Sequence, residues 1–226
     1  MRRSRAGLST SRSVQIAAFA LIVVVATSAA RPPKQHRHRG ANPRAAAGPV
    51  NSTLAIPPLL SGTTANGVTT FAITARQGTR VIDGALRSTA GYNDTYLGPT
   101  IRVSRGQHVR IRVTNNLSES TTVHWHGLHV PAEDDGGPYQ AIAAGAVWEP
   151  DFTVMQPATT LWYHPHLMGK TAQQVARGMV GMLEITDDTP AEKVLPHEYG
   201  VDDIPLILQP APAPAGSAAQ QPGRLL

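Results

Sequence analysis

Polar and apolar positions alternate with a period of two from Gln107 to Thr114 (QHVRIRVT). Val109, Ile111 and Val113 fall on one side, and His108, Arg110 and Arg112 on the other. The pattern predicts a strand with one buried and one wet face. Asn115-Asn116 then turns the chain. From Pro57 onward, short β-branched stretches recur between Gly, Pro, Asn and Thr. Strands are predicted at Thr69 to Ala75, Ile101 to Val103, Thr121 to His126, Met179 to Thr186 and Ile204 to Gln209. Trp148 to Met155 and Thr159 to His164 read as a further pair, joined by a turn at Gln156-Pro157. Lys170 to Arg177 (KTAQQVAR) predicts a short helix closed by Gly178 at its C-cap. Many short strands at this spacing predict a β-sandwich, with the folded domain over residues 51–188. Residues 189–209 read as a connector. From Pro210 to Leu226 the apolar period is lost, which predicts a low-complexity, disordered tail.

Composition changes the picture twice. The chain has 226 residues, enough for a sizeable core, and no Cys. Disulfides, Cys-type zinc fingers, iron–sulfur clusters, thiol catalysis and any blue-copper centre are therefore excluded. The formal charge of +5 suggests a nucleic-acid partner until the charges are placed. Residues 1–44 hold Arg2, Arg3, Arg5, Arg12, Arg31, Lys34, Arg37, Arg39 and Arg44, and the first acid is Asp83. From residue 45 on, 11 basic residues face 15 acids, a formal −4. The body is mildly acidic, and no nucleic-acid partner is expected.

The basic start belongs to a predicted export signal over residues 1–30. A polar, basic stretch leads into the 11-residue apolar run Ile16 to Ala26, followed by Thr27-Ser28-Ala29-Ala30, with small residues at the positions a signal peptidase reads. The run is short for a membrane span, which needs roughly 20 residues. An uncleaved signal anchor is the alternative, so membrane contact is expected only through this signal. Arg2-Arg3 leaves open a twin-arginine leader. The expected location is periplasmic or extracellular. Residues 31–50 (rich in Pro, Arg and Ala) read as a disordered linker in which His36 and His38 are solvated.

The chemistry lies in His124-Trp125-His126 and His164-Pro165-His166. On a strand, residues i and i+2 share a face, roughly 6.5–7 Å apart. Two such pairs on neighbouring strands bring four imidazoles together. Crowding them does little for packing, because protonating one disfavours the next. Metal binding gives the crowding a purpose, and neutral imidazole suits copper, zinc, iron and nickel. Pro165 has no N–H to donate, which places that stretch at a sheet edge or rim. Glu133-Asp134-Asp135-Gly136-Gly137-Pro138 predicts a tight loop that can hold a carboxylate near the metals, or simply a solvated acidic turn. His108 and His197 read as structural, and His129 as a wet-face residue and not a ligand. Met168, Met179 and Met182 read as core or gap-filling residues before soft copper ligands.

At these residues the sequence resembles the N-terminal domain of the multicopper oxidases, close to the bacterial copper efflux oxidases and copper-resistance laccases. The resemblance covers about residues 55–209. It rests on Leu97-Gly98-Pro99-Thr100, Thr121 to Gly127, Asp135 to Pro138, Trp162 to His166, Gly169-Lys170-Thr171 with Gln174-Val175, and Asp202-Asp203-Ile204-Pro205. It implies an all-β, cupredoxin-like Greek-key sandwich with one short helix. It also implies half of a trinuclear copper cluster that reduces dioxygen to water. His124 would ligate the type 2 copper, His126 with His164 one type 3 copper, and His166 the other. Asp135 would help deliver protons. The reductant in a full-length enzyme would be cuprous ion or a phenol.

Members of the family carry three such domains. The Cys-containing type 1 site and four further histidines belong to the third, and neither is found in this chain. The sequence therefore reads as a truncated or frame-shifted frame, or a fragment. On this reading the chain alone does not oxidise substrate. A stand-alone exported copper-binding protein is the alternative, and a metal-free interaction module a third reading that the intact His pairs disfavour.

Overall fold

The computed structural model describes residues 54–215, so the predicted leader, the linker and residues 216–226 lie outside the described residues. Ten strands and one helix follow in chain order: β1 (Thr63–Ala65), β2 (Val68–Ile82), β3 (Ala85–Tyr92), β4 (Ile101–Ser104), β5 (His108–Asn115), β6 (His124–His126), β7 (Val147–Trp148), β8 (Asp151–Thr153), β9 (Thr159–His164), α1 (Thr171–Ala176) and β10 (Gly181–Thr186). They form two sheets, one of six strands and one of four. No helix among the described residues is long and apolar enough to cross a membrane.

In the six-stranded sheet β2 is long because it serves two partners. Its first half runs parallel to β5, from Val68 opposite His108 to Ala75 opposite Asn115. Its second half pairs antiparallel with β3. The hairpins at its two ends turn on Asn66-Gly67 and Asp83-Gly84, all four with positive φ. These are the residue pairs that a two-residue hairpin loop demands, and they signal β1 and β3, which the alternation of apolar residues did not reveal. The period of two on β5 is realised: Val109, Ile111 and Val113 are buried, while His108, Arg110 and Arg112 are exposed.

The second sheet runs β4-β10-β9-β6. Phe71, Ile73, Ile111 and Val113 of the first sheet and Ile101, Leu183, Trp125 and Tyr163 of the second belong to one buried cluster. Each such side chain contributes about 1.5–3 kcal/mol by leaving water. Tyr163 is held closely: its hydroxyl donates to Pro99 O at 2.7 Å. Gly181 gives its ring room, since a Cβ there would sit 2.1 Å from the ring.

Three expectations are corrected. The segment from Trp148 to Met155 is interrupted at Glu149-Pro150, leaving β7 and β8. It does not pair with Thr159 to His164: β7 and β8 pair with β5, whereas β9 pairs with β10 and β6. The stretch around Gln156-Pro157 therefore carries the chain between sheets. Ile204 to Gln209 is not a strand. Pro205 offers no N–H, and the segment is held through side chains instead. Arg102 pairs with Glu184 at 2.7 Å and with Asp203, Tyr199 donates to Pro57 O at 2.8 Å, and Gln209 donates to Val175 O at 2.8 Å. Finally, Met168 is 72% exposed and belongs to no core. It precedes Gly169, whose positive φ turns the chain into α1. Residues 212–215, within the predicted tail, lie along β3: Ala215 N donates to Leu86 O at 2.9 Å and Arg87 donates to Pro212 O at 2.8 Å.

Candidate metal centre

The two His pairs meet because β6 and β9 are antiparallel neighbours in one register: His124 opposite His164, Trp125 opposite Tyr163, His126 opposite Trp162. Alternation then separates the faces. Trp125 and Tyr163 point into the core and are fully buried. His124, His126 and His164 share the other face, and one ring nitrogen from each lies within 4.8 Å of the others.

Hydrogen bonds fix which nitrogens are available. His124 Nδ1 lies 2.9 Å from the Asp135 carbonyl oxygen. A carbonyl only accepts, so Nδ1 carries the proton and Nε2 keeps its lone pair. His164 repeats the arrangement, with Nδ1 2.7 Å from Pro165 O. Its Nε2 stands 3.2 Å from His126 Nδ1. Trp162 stacks on His164, ring centroids 3.9 Å apart at 20°, which sets the plane of the imidazole. Burial, followed by the neighbouring imidazoles His124, His126 and His166, pushes the His164 pKa down to about 4. His164 is therefore neutral at physiological pH, as a ligand must be.

His166 lies two residues past the end of β9 and is exposed. Its ring is 5.1 Å from that of His124 and 5.9 Å from that of His164. The structure thus gathers three of the four predicted ligands closely and sets the fourth beside them at the rim. The backbone N–H of His166 donates to the buried Thr122 Oγ1 at 2.6 Å.

Asp135 sits next to His124 through both its backbone and its side chain, Oδ1 being 3.3 Å from Nδ1. Its loop is pressed against the start of β6. A Cβ at Gly136 would fall 1.7 Å from Val123 O, and its φ is +70°, so only glycine fits there. Gln140 ties the loop together by accepting from Gly137 N at 2.7 Å and donating to Ala132 O at 2.8 Å. Trp125 Nε1 donates to Asp134 O at 3.0 Å.

One buried polar residue has a larger part than its sequence suggested. Gln174 on α1 is fully buried. It accepts from Thr121 Oγ1 and donates to Ser120 O, both at 2.9 Å. It thereby fixes the segment that leads through Thr122 into β6. A single Gln in a short helix gives no periodic signal, so only its neighbours reveal the role.

The ring contacts that join His124, His126, His164 and His166 include none of the other described histidines. His108 pairs with Asp151 on the outer face of the six-stranded sheet. His197 bonds Leu195 O at 3.1 Å. His129 is exposed. Met179 is buried in the core.

A family model described as multicopper oxidase matches residues 74–190. The chain is 43% identical over 145 residues to the multicopper oxidase mco of Staphylococcus aureus, covering 64% of this chain and 32% of that protein. It is 38% identical over 166 residues to the cell division protein FtsP of Escherichia coli, covering 74% of this chain and 35% of that one. Among solved structures, the laccase-like multicopper oxidase CueO from Ochrobactrum sp. superposes with a TM-score of 0.62 at 44% identity, over 67% of this chain and 34% of its own. That of McoA from Aquifex aeolicus does so at 0.60 and 36% identity, over 69% and 35%. The chain thus spans about a third of the length of these relatives. A two-sheet sandwich with its imidazoles gathered on one face of β6 and β9, matched over more than half its residues by the family model, makes this chain a member of the multicopper oxidase family.

Proposed function

We propose that this domain supplies four imidazoles of a trinuclear copper centre that couples oxidation of a substrate to reduction of dioxygen to water. The single observation that supports this best is the β6–β9 register, which sets three ligand nitrogens within 4.8 Å. The donor set fits copper: Nε2 of His124 and Nε2 of His164 keep their lone pairs because each Nδ1–H is spent on a carbonyl. In this reading His124 holds the type 2 copper, His126 and His164 one type 3 copper, and His166 the other. Copper, when bound, would accept electrons and pass them to dioxygen. The chain's own residues orient the imidazoles, exclude water from their core side through Trp125 and Tyr163, and hold a proton acceptor beside the centre in Asp135.

Family membership implies copper and dioxygen. The reductant, cuprous ion or a phenol, is part of the proposal, as is an exported location, which rests on the sequence of residues 1–30. Four imidazoles are half the set that the family resemblance implies. The 226-residue chain on its own therefore binds copper weakly, with poor selectivity over zinc, and does not turn over.

Copper(II) titration of the purified chain tests the site: His124→Ala with His166→Ala lowers the bound stoichiometry. Unchanged stoichiometry rejects the ligand assignment. Oxidase turnover by the copper-loaded 226-residue chain, with blue absorbance, rejects its inactivity. The alternative, an exported copper-binding protein without oxidase activity, predicts the same titration. It is separated by adding the remaining domains of a relative in trans or by fusion, which restores turnover only if the chain is an oxidase domain.

A further inference from the structure

Among the named strands, β3 pairs with β2 alone, so its far edge faces away from the sheet. Half of that edge is taken up by neighbouring loops: Ala90 N donates to Arg177 O at 2.9 Å and Tyr92 N to Leu97 O at 2.7 Å. The other half lies towards the hairpin tip. There Val81 of β2 and Leu86 of β3 stand opposite one another, 67% and 54% exposed. A sheet edge with large apolar side chains in water is a template on which a further strand can pair.

Residues 212–215 lie on this half. Ala215 N donates to Leu86 O at 2.9 Å, and Pro214 stands opposite Arg87 in an antiparallel bridge. Pro212 is buried, and its carbonyl accepts from Arg87 Nη1 at 2.8 Å. Just before it, Gln209 is anchored on Val175 O at 2.8 Å. Arg87 has a use for this contact. It faces Arg80 directly across the ladder, and like charges so placed cost stability. Arg80 is paired with Asp94 at 2.7 Å, and the Arg87 guanidinium finds its acceptor on the tail.

The order of residues in this stretch gives the contact a direction. Pro210, Pro212 and Pro214 alternate with Ala211, Ala213 and Ala215. In extended backbone, successive residues turn their N–H to opposite edges. With Ala215 turned to β3, Ala213 shares its side. Pro212 and Pro214 fall on the outer side, where proline has no N–H to offer. The stretch is a one-sided strand: it completes a ladder on its inner edge and presents no donor at these positions on its outer edge. We propose that residues 212–215 close the β3 edge against a second copy of this chain, which would otherwise pair there, β3 against β3 about a two-fold axis. Antiparallel pairing centred near Leu86 sets the Val81 and Leu86 pairs of both copies side by side on one face and removes them from water. The inference concerns the six-stranded sheet and does not depend on the imidazoles of β6 and β9, which belong to the other.

Sedimentation velocity over a range of concentrations tests this on chains that share residues 1–209, so that association through the leader is common to all. The chain ending at Gln209 is expected to associate roughly tenfold more tightly than the 226-residue chain, the equivalent of one or two backbone hydrogen bonds. Leu86→Lys in the shortened chain is expected to abolish that gain, because a charge on the edge repels a second copy. Ala215→Pro in the full-length chain removes only the donor to Leu86 O and is expected to give part of the gain. If shortening costs the chain its copper(II) stoichiometry, and hence its fold, Ala215→Pro carries the comparison. No gain in association overturns the proposal. A gain that survives Leu86→Lys places the contact on another surface and overturns it equally. Amide exchange in the unaltered chain decides the seating without any variant. The Ala215 N–H is expected to exchange roughly tenfold more slowly than in a free peptide of residues 210–226, and equal rates overturn the proposal.

Discussion

Adjacent residues on β6 and β9 have opposite tasks. Trp125 and Tyr163 face the core, fully buried, with their polar atoms spent on Asp134 O and Pro99 O. One step along each strand, His124 and His164 face the rim, crowded by other imidazoles whose charges disfavour one another. The core face lowers the energy of the fold, and the rim face raises it in the metal-free chain. The pleat puts these demands on opposite faces of the sheet while they are one residue apart in sequence.

The comparison breaks first at the core. Trp125→Ala is expected to cost about 3–5 kcal/mol in denaturant unfolding, through lost burial and a cavity. A loss below about 1 kcal/mol would mean that the two faces do not divide the work this way. Acid acts on the rim instead. In the metal-free chain His164 titrates near 4, against the ordinary 6.5 of an unfolded histidine. Below 6.5 the unfolded state takes up the proton more readily, so stability is full above that pH and falls as pH drops towards 4. The loss is up to about 3 kcal/mol. Thermal melts across this range check it, and His164→Phe, which preserves the stack on Trp162, is expected to flatten the dependence.

Gln174→Leu ranks next, because it removes the better acceptor of the buried Thr121 Oγ1, which is left with Thr122 O at 3.2 Å, and the donor to Ser120 O. The expected cost is about 1–3 kcal/mol, with weaker copper binding, since the segment through Thr122 into His124 loosens. If unfolding shifts and copper affinity does not, Gln174 serves the fold alone. The smallest effects belong to the exposed rim. His126→Ala is expected to change stability by no more than about 0.5 kcal/mol while removing one of the proposed copper ligands. Asp135→Asn is expected to leave copper binding largely intact, because the backbone carbonyl of Asp135, at 2.9 Å, orients His124 and survives the change.

Much of this was legible in the residues. Alternation on β5 marked its buried side, and His-x-His spacing marked two pairs of neighbouring imidazoles. β1 and β3 were signalled by Asn66-Gly67 and Asp83-Gly84 and not by hydrophobic period, because β2 changes partners midway and only its first half is evenly buried. Ile204 to Gln209 has the composition of a strand, and a connector held by Arg102 and Tyr199 has no ladder for it to join.

By itself the sequence determined the local geometry: which residues share a face, where glycine is obligatory, and which donors can ligate metal. These follow from backbone periods and side-chain chemistry that act over a few residues. The tertiary structure decided what meets what. It set His124 opposite His164, carried the chain across sheets near Gln156-Pro157, pressed the Asp135 carbonyl onto His124, and placed Gln174 under Thr121. Those pairings join residues 11 to 53 positions apart. No local period encodes them; they are chosen by the packing of the whole sandwich.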